Sequence, residues 1–373
     1  MHKTGIAELP LHNGKAPAWL FQRMVRLGGE IVRLIVEDYG PEEVLKRISD
    51  PYWFQCLGCV LGFDWHSSGI TTTVCGALKE GLKGRARELG LVIAGGKGGT
   101  SRKTPSEIVA AADKYSLALN PADLVYLSRL TAKIDNNAVQ DGFQLYHHNF
   151  FFTWGGAWAV VQQGMNNRFA RRYHWHSEKV QSFTRDPHAA ICSELRVRQS
   201  LNLVASESEA AQDMITTLSR ERPEKLVGEL RKLQTLSLPS NHEVTARDLH
   251  PDSIEKILLK TYETQAEDFQ TLLAMPGVGA KTLRALTLIA EITYGTPASW
   301  KDPAKFSFAH GGKDGHPYPV NRAVYDASVD ILRRCLERAR VERTEKSHAL
   351  KRILQLFPEK AAFGKNNVFI KVT

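Results

Sequence analysis

The chain has 373 residues, more than a single domain usually needs, and carries 49 Lys and Arg against 40 Asp and Glu, a formal charge of +9 that favours polyanionic partners. Its 43% apolar and 24% charged residues are ordinary for a globular protein. No apolar run approaches the roughly 20 residues of a membrane span, so no membrane partner is expected. The opening Met1-His2-Lys3-Thr4-Gly5 lacks a signal-peptide core, and five cysteines, an odd number, fit a reducing compartment better than a disulfide framework; a cytoplasmic address is expected.

Between residues 17 and 37, Leu20, Met24, Leu27, Ile31, Leu34 and Ile35 recur at helical steps, with a break expected at Gly28-Gly29. Pro41 opens a second helix to about Ile48. Cys56 and Cys59 have CxxC spacing, but no second pair completes a four-ligand zinc site, and apolar neighbours such as Trp53, Phe54 and Leu57 point to buried thiols. A first polar segment, Asp64-Trp65-His66-Ser67-Ser68-Gly69, offers backbone amides to a phosphate or an ordinary helix cap.

Leu91 to Ala94 reads as a strand leading into the basic, glycine-rich run from Gly95 to Thr104. The run fails the P-loop pattern, because Gly96-Lys97 is followed by Gly98 where Ser or Thr is needed. A mobile loop is expected instead, with Lys97 or Lys103 steadying a nucleic-acid phosphate. Thr104-Pro105-Ser106-Glu107 has the form of a capping box for a helix to Tyr115, and Pro121 starts another to about Lys133.

Aromatic and β-branched residues then predict a β-hairpin: Phe143 to Thr153, a turn at Trp154-Gly155-Gly156 suited to a primed conformation, and Ala157 to Gln163. The hairpin carries the densest polar cluster, Asp135, Asp141, His147 and His148 facing Gln162 and Gln163. Two carboxylates, two imidazoles and several amides can hold a divalent ion, Mg or Mn, and orient water for phosphodiester hydrolysis. Asp141 and His148 are the expected metal ligands. Asp64 and His66 are the alternative pair, and Asp135, His147 and Gln163 complete the catalytic set. Arg168, Arg171, Arg172, Tyr173, His174, Trp175 and His176 interleave basic and aromatic residues, a mixture suited to phosphate contacts and base stacking, with Arg171 and Arg172 expected on DNA.

Beyond Cys192, helices are expected at 205–218, 223–233 and 250–259, with a loop at 236–241. Phe269 to Met275 is then a short helix stopped by Pro276; Gly277-Val278-Gly279 turns, and Ala280-Lys281-Thr282-Leu283 begins a second helix to about Ile292. Glycines leave the backbone open to an anion, Val278 plugs the helix pair, and Lys281 adds charge where free N–H groups and the positive helix end point. This run resembles the helix-hairpin-helix of DNA repair and recombination proteins, which implies phosphate contacts without base reading by Pro276, Gly277, Val278, Gly279, Lys281 and Thr282. In the glycosylase branch of that superfamily a catalytic Asp follows. Asp314 occupies a comparable place here, at a longer spacing, with His310, Lys313 and His316 as DNA contacts in the other reading.

Leu11-His12 through Phe21, Leu61 through Gly69, Gln140-Asp141-Gly142-Phe143-Gln144-Leu145-Tyr146-His147-His148 and Gln162-Gln163-Gly164-Met165 resemble a prokaryotic family catalogued as domain of unknown function 763. The resemblance covers most of the chain and implies no activity. The expectation is an α+β protein: a mixed α/β catalytic domain over 1–195, an all-α helix-hairpin-helix domain over 196–345, and an extension over 346–373. It binds double-stranded or structured DNA, RNA remaining open, and acts as a metal-dependent nuclease; a glycosylase using Asp314 and a non-catalytic accessory protein are the alternatives.

Overall fold

The computed structural model describes residues 16–63, 67–166, 169–193, 197–236, 251–304 and 322–356. The first helix, α1 (Ala18–Tyr39), runs unbroken. Its glycines serve packing. A Cβ on Gly29 would stand 3.0 Å from the Gly81 carbonyl oxygen, and one on Gly81 would stand 2.5 Å from that of Val25. The helix accepts the propensity penalty of glycine so that α4 (Gly69–Gly81) can lie against it. Between them come α2 (Pro41–Ile48), as expected from Pro41, and α3 (Pro51–Leu61), whose first turn is capped by Asp50 accepting from the N–H groups of Tyr52 and Trp53. Cys56 and Cys59 lie buried in α3, and all five cysteines are buried and outside any disulfide.

After α5 (Ala86–Leu89), β1 (Leu91–Lys97) enters a 3-10 turn over Gly98–Lys103 and then α6 (Thr104–Tyr115). The capping box does not form. Thr104 is already helical, and Glu107 accepts instead from the Gly95 N–H at 2.7 Å and from Lys79 Nζ at 2.6 Å. The glycine loop is thereby tied to α4. Next come α7 (Pro121–Lys133), capped by Asn120 and prolonged by a π turn over Ile134–Ala138, then β2 (Val139–Gln140), β3 (Gln144–Thr153), β4 (Trp158–Met165), β5 (Ala170–His176), β6 (Ala190–Cys192) and β7 (Leu201–Asn202). The β3–β4 hairpin forms where expected. Of its two turn glycines only Gly156 takes positive φ, at 87°, and its N–H donates to the Thr153 carbonyl while the Thr153 N–H donates to that of Ala157, so the loop is longer than a primed two-residue turn.

The second half contributes α8 (Glu209–Ser219), α9 (Pro223–Leu233), α10 (Pro251–Thr264), α11 (Phe269–Ala274), α12 (Ala280–Tyr294), α13 (Arg322–Arg338) and α14 (Arg343–Leu356). The main sheet is antiparallel, in the order β1-β3-β4-β5-β6, and β2 pairs with β7 separately. Strand alternation sends Phe150, Phe152, Trp158, Val160 and Trp175 into a core shared with Leu130, Leu218, Leu272, Val278 and Leu286. On the opposite face Ile93, Phe151, Ala159 and Val161 join Leu34, Leu57, Val74, Leu332 and Ile353. The protein is thus mixed α/β, with a sheet between two helical layers. The helices after residue 196 share one core or the other with that sheet, so packing is continuous across residues 195 and 345. None of the described helices is long and apolar enough to cross a membrane.

Candidate nucleic-acid interface and polar centre

Asp268 starts α11 by accepting from the Thr271 N–H at 2.7 Å. The chain turns at Gly277, whose φ of 96° only glycine adopts without strain, and Val278 inserts between the helices with 2% of its surface exposed. Gly279, in extended backbone, is the N-cap of the 15-residue α12, and no side chain caps that end. Pro276, Gly277 and Lys281 are exposed, whereas Thr282 is buried and turned away from any phosphate.

The carbonyls of this turn face inward. Lys133 Nζ, at the end of α7, donates to the carbonyl oxygens of Leu273 (2.7 Å), Met275 (2.5 Å) and Val278 (3.3 Å). Gln140 Nε2 donates to that of Ala280 at 2.9 Å, while Arg284 Nε donates to Gln140 Oε1 at 2.7 Å. Three ammonium hydrogens match three acceptors. Burial, with a smaller contribution from Lys260, draws the Lys133 pKa down to about 8, which leaves the ammonium mostly protonated at neutral pH. Four carbonyls around the turn are thus held from inside, and the N-terminus of α12, without a side-chain cap, lies beside the exposed Lys281, a charge arrangement that favours an anion.

The polar cluster of the sheet divides between its two faces. On the α7 face, Ser128 Oγ lies 2.8 Å from His148 Nε2, His148 Nδ1 lies 2.8 Å from Gln162 Oε1, and Gln162 Nε2 donates to Asp135 Oδ2 at 2.6 Å. Asp135 also accepts from Trp175 Nε1 at 2.9 Å and meets His188 Nε2 through its other oxygen. On the α4 face, Gln163 joins Thr71, the Ser68 carbonyl and the Tyr146 hydroxyl. The segment ending at Ser68-Gly69 and the polar cluster of the hairpin therefore meet at Gln163. His147 is buried with neither ring nitrogen hydrogen-bonded among the described residues. Desolvation pulls His147 down to about 3 and His148 to about 4, in His148 against the opposing hydrogen bond it makes to Gln162 Oε1.

The expected ion ligands do not share a site. Asp141 Oδ2 accepts from Arg171 Nη1 at 2.8 Å and from the Tyr173 hydroxyl at 2.7 Å, and its Oδ1 accepts from the Phe143 N–H at 3.0 Å. Both ring nitrogens of His148 are engaged with Ser128 and Gln162. Among the described residues no three His, Cys, Asp or Glu side chains gather in a way that could hold a metal. Burial raises the pKa of Asp135 and of Asp141, opposed by His188 and Arg171 respectively. Asp64, His66, Arg168, His310, Lys313, Asp314 and His316 lie outside the described residues.

Arg171 and Arg172 are corrected as DNA contacts. They stand in β5, a strand paired on both sides and buried along its whole length, so no phosphate reaches them. Arg171 spans Asp141 and Asp302, the latter at 2.8 Å, and stacks over the Phe143 ring at 4.5 Å. Arg172 donates to Gln55 at 2.9 Å and lies over Phe54 at 4.7 Å. Interleaved basic and aromatic residues here mark an interior strand. Lys97 and Lys103 are exposed on the glycine loop, with Lys97 Nζ 5.8 Å from the Tyr146 ring centre.

Beside that loop a cavity of about 250 Å³ opens between the 3-10 turn, α7 and β3, lined by Arg102, Thr104, Ser128, Arg129, Leu145 and His148 among others. The β3–β4 register slips between Leu145 and His147, the mark of a bulge that re-aims side chains at a sheet rim. Ser128 and Lys133 escaped sequence reading. Ser128 lies on the helical stripe of Leu124 and Thr131, four before and three after it, and that spacing alone places its hydroxyl on the buried face.

No curated protein and no solved structure matches the chain. The family model described as protein of unknown function (DUF763) matches residues 5–320, and the chain belongs to that family.

Proposed function

We propose that this protein binds double-stranded or structured DNA by its phosphate backbone, through the turn Pro276–Gly279, Lys281 and the start of α12. The observation that carries this reading is the direction of the turn's dipoles. Lys133 and Gln140 hold the carbonyls from the protein side, and the uncapped N–H end of α12 stands at the surface beside a lysine. The net charge of +9 supports the same partner, and five reduced thiols fit a cytoplasmic location, where DNA is within reach.

Ion-assisted hydrolysis centred on Asp141 and His148 has less support, since the polar atoms of both residues already serve other groups. The test is fluorescence anisotropy of a labelled duplex over a salt series, with Mg²⁺, with Mn²⁺ and with chelator. Affinity that falls with salt and is weakened by Lys281→Ala supports backbone binding. Binding insensitive to Lys281→Ala removes the hairpin from the interface, and strand cleavage abolished by chelator restores the nuclease reading. A single-stranded RNA of the same length separates RNA from DNA as the preferred partner.

A further inference from the structure

Going beyond the hairpin, we propose that Ser128 is a nucleophile, with His148 as its general base, acting on phosphoester substrates that enter the cavity between the glycine-rich loop, α7 and β3. The starting point is a group with only one hydrogen-bonding role. The Trp175 indole N–H can only donate, so Asp135 Oδ2, 2.9 Å away, is an acceptor. With the Asp135 carboxyl ionised, the Gln162 atom 2.6 Å from that oxygen is the amide nitrogen, which turns Gln162 Oε1 toward His148 Nδ1 at 2.8 Å. Nδ1 consequently carries the proton. In a neutral imidazole Nε2 is left as acceptor, and the Ser128 hydroxyl, 2.8 Å away, donates to it. Nucleophile, base and orienting group thus stand in the order that activates a serine.

The surroundings select the substrate. Ser128 lines the cavity, and so do Arg102 and Arg129, both exposed and neither engaged in an ion pair among the described residues. Two uncommitted guanidinium groups beside a nucleophile suit the charge of a phosphoryl group better than a neutral carboxylic ester. The cavity, at about 250 Å³, takes a phosphate with a small substituent or a strand terminus rather than an intact duplex.

Chemically, Ser128 Oγ attacks phosphorus, the Oγ–P bond forms and the bond from phosphorus to the leaving oxygen breaks. The hydroxyl proton passes to His148 Nε2 and from there to the leaving oxygen. Water then attacks the phosphoseryl group, giving its proton to His148, and the Oγ–P bond breaks as Oγ takes that proton back. The net reaction is hydrolysis, and water is the only co-reactant. Gln162 and Asp135 are positioning residues that fix the His148 tautomer.

The experiment uses the full chain and small probes, so its outcome is independent of the hairpin and of DNA. A fluorophosphonate is incubated with the protein, and the adduct is located by peptide mass spectrometry; turnover is followed with bis(4-nitrophenyl) phosphate, 4-nitrophenyl phosphate and 4-nitrophenyl acetate. The expected result is a single adduct on Ser128, absent in Ser128→Ala, formed about 100-fold more slowly in His148→Asn, and turnover of a phosphate ester with a KM raised in the surface variant Arg129→Ala. For the positioning role, histidine ¹⁵N spectra should place the His148 proton on Nδ1 and lose that signature in Gln162→Leu. No adduct on Ser128 in folded wild-type protein overturns the proposal, as does an adduct formed at the wild-type rate in His148→Asn. Turnover of the acetate alone overturns the substrate class.

Discussion

Gly277 and Gly279 are two residues apart in one turn, yet alanine at each should fail in a different way. At Gly277 the backbone φ of 96° lies in the left-handed region, and a Cβ would stand 2.7 Å from Ile257 Cδ1. The backbone strain is worth ~1–3 kcal/mol and the crowding ~1 kcal/mol, since a terminal methyl can shift. Alanine recovers ~0.5–1 kcal/mol by restricting the unfolded chain, which leaves a net loss of about 1–3.5 kcal/mol. At Gly279 the backbone is extended, and the nearest atom to an added Cβ is the Gly277 carbonyl oxygen at 3.9 Å. Its weaker N-cap and its smaller unfolded entropy nearly cancel, within ~0.5 kcal/mol. The new methyl does, however, stand at the open N–H end of α12, where losing one charge-assisted contact of ~1.5 kcal/mol weakens DNA binding about tenfold. Urea denaturation and duplex anisotropy on both variants separate the effects. Wild-type unfolding of Gly277→Ala, or wild-type DNA affinity in a folded Gly279→Ala, would refute the reasoning.

Lys281→Ala should reduce the slope of log affinity against log salt by about one, the share of a single phosphate contact, with no change in urea midpoint; an unchanged slope puts Lys281 outside the interface. Asp141→Asn removes one of the two carboxylates on the buried Arg171 and should cost about 3–5 kcal/mol, read as a shifted urea midpoint. A loss under ~1 kcal/mol would mean that Asp302 alone satisfies the guanidinium. Acid should destabilise the protein well before its surface carboxylates titrate. His147 and His148 have folded pKa values of about 3 and about 4, below the ordinary 6.5, so the unfolded chain binds their protons first and stability is lost as pH falls from about 6.5 toward those values. Two protons correspond to ~2.7 kcal/mol per pH unit. The raised carboxyls of Asp135 and Asp141 oppose this at the acid end by binding protons in the folded state. Urea midpoints at pH 7, 6 and 5 give the slope, and a flat profile would mean these imidazoles are charged or hydrated in the native state.

The elements legible in the sequence were those with local causes. Pro41, Pro121 and Pro223 open helices whose bounds the apolar period closes, and the stop and turn between the helices on either side of Pro276–Gly279 follow from neighbouring residues alone. What misled were residues whose role depends on distant partners. Gly28 and Gly29 look like helix breakers until Leu78 and Gly81 lie against them in turn. Arg171 and Arg172 look like surface cations until Asp141, Asp302 and Gln55 enclose them, across more than a hundred residues of chain in two of the three pairs. The density of polar residues around Asp135 to His148 did mark a polar interior. Its division between two sheet faces follows from the period of two along β3, which sends His148 to Ser128 and leaves Gln163, on the neighbouring strand, to Thr71.

One element joins the hairpin surface to the Ser128 cavity. Helix α7 carries Ser128 on its inner side and ends at Lys133, five residues or ~7.5 Å of helix axis further on. Lys133 holds the hairpin's carbonyls, and the π turn that follows supplies Asp135 to the sheet network. The hairpin turn and the Ser128–His148 pair are thus joined by a single packed helix. Substituting Lys133 by Met, which keeps the apolar stem but leaves three carbonyls without their donor, should change DNA affinity and the His148 ¹⁵N signature together. If affinity falls while the histidine spectrum stays fixed, the two surfaces are mechanically independent and share α7 only as scaffold.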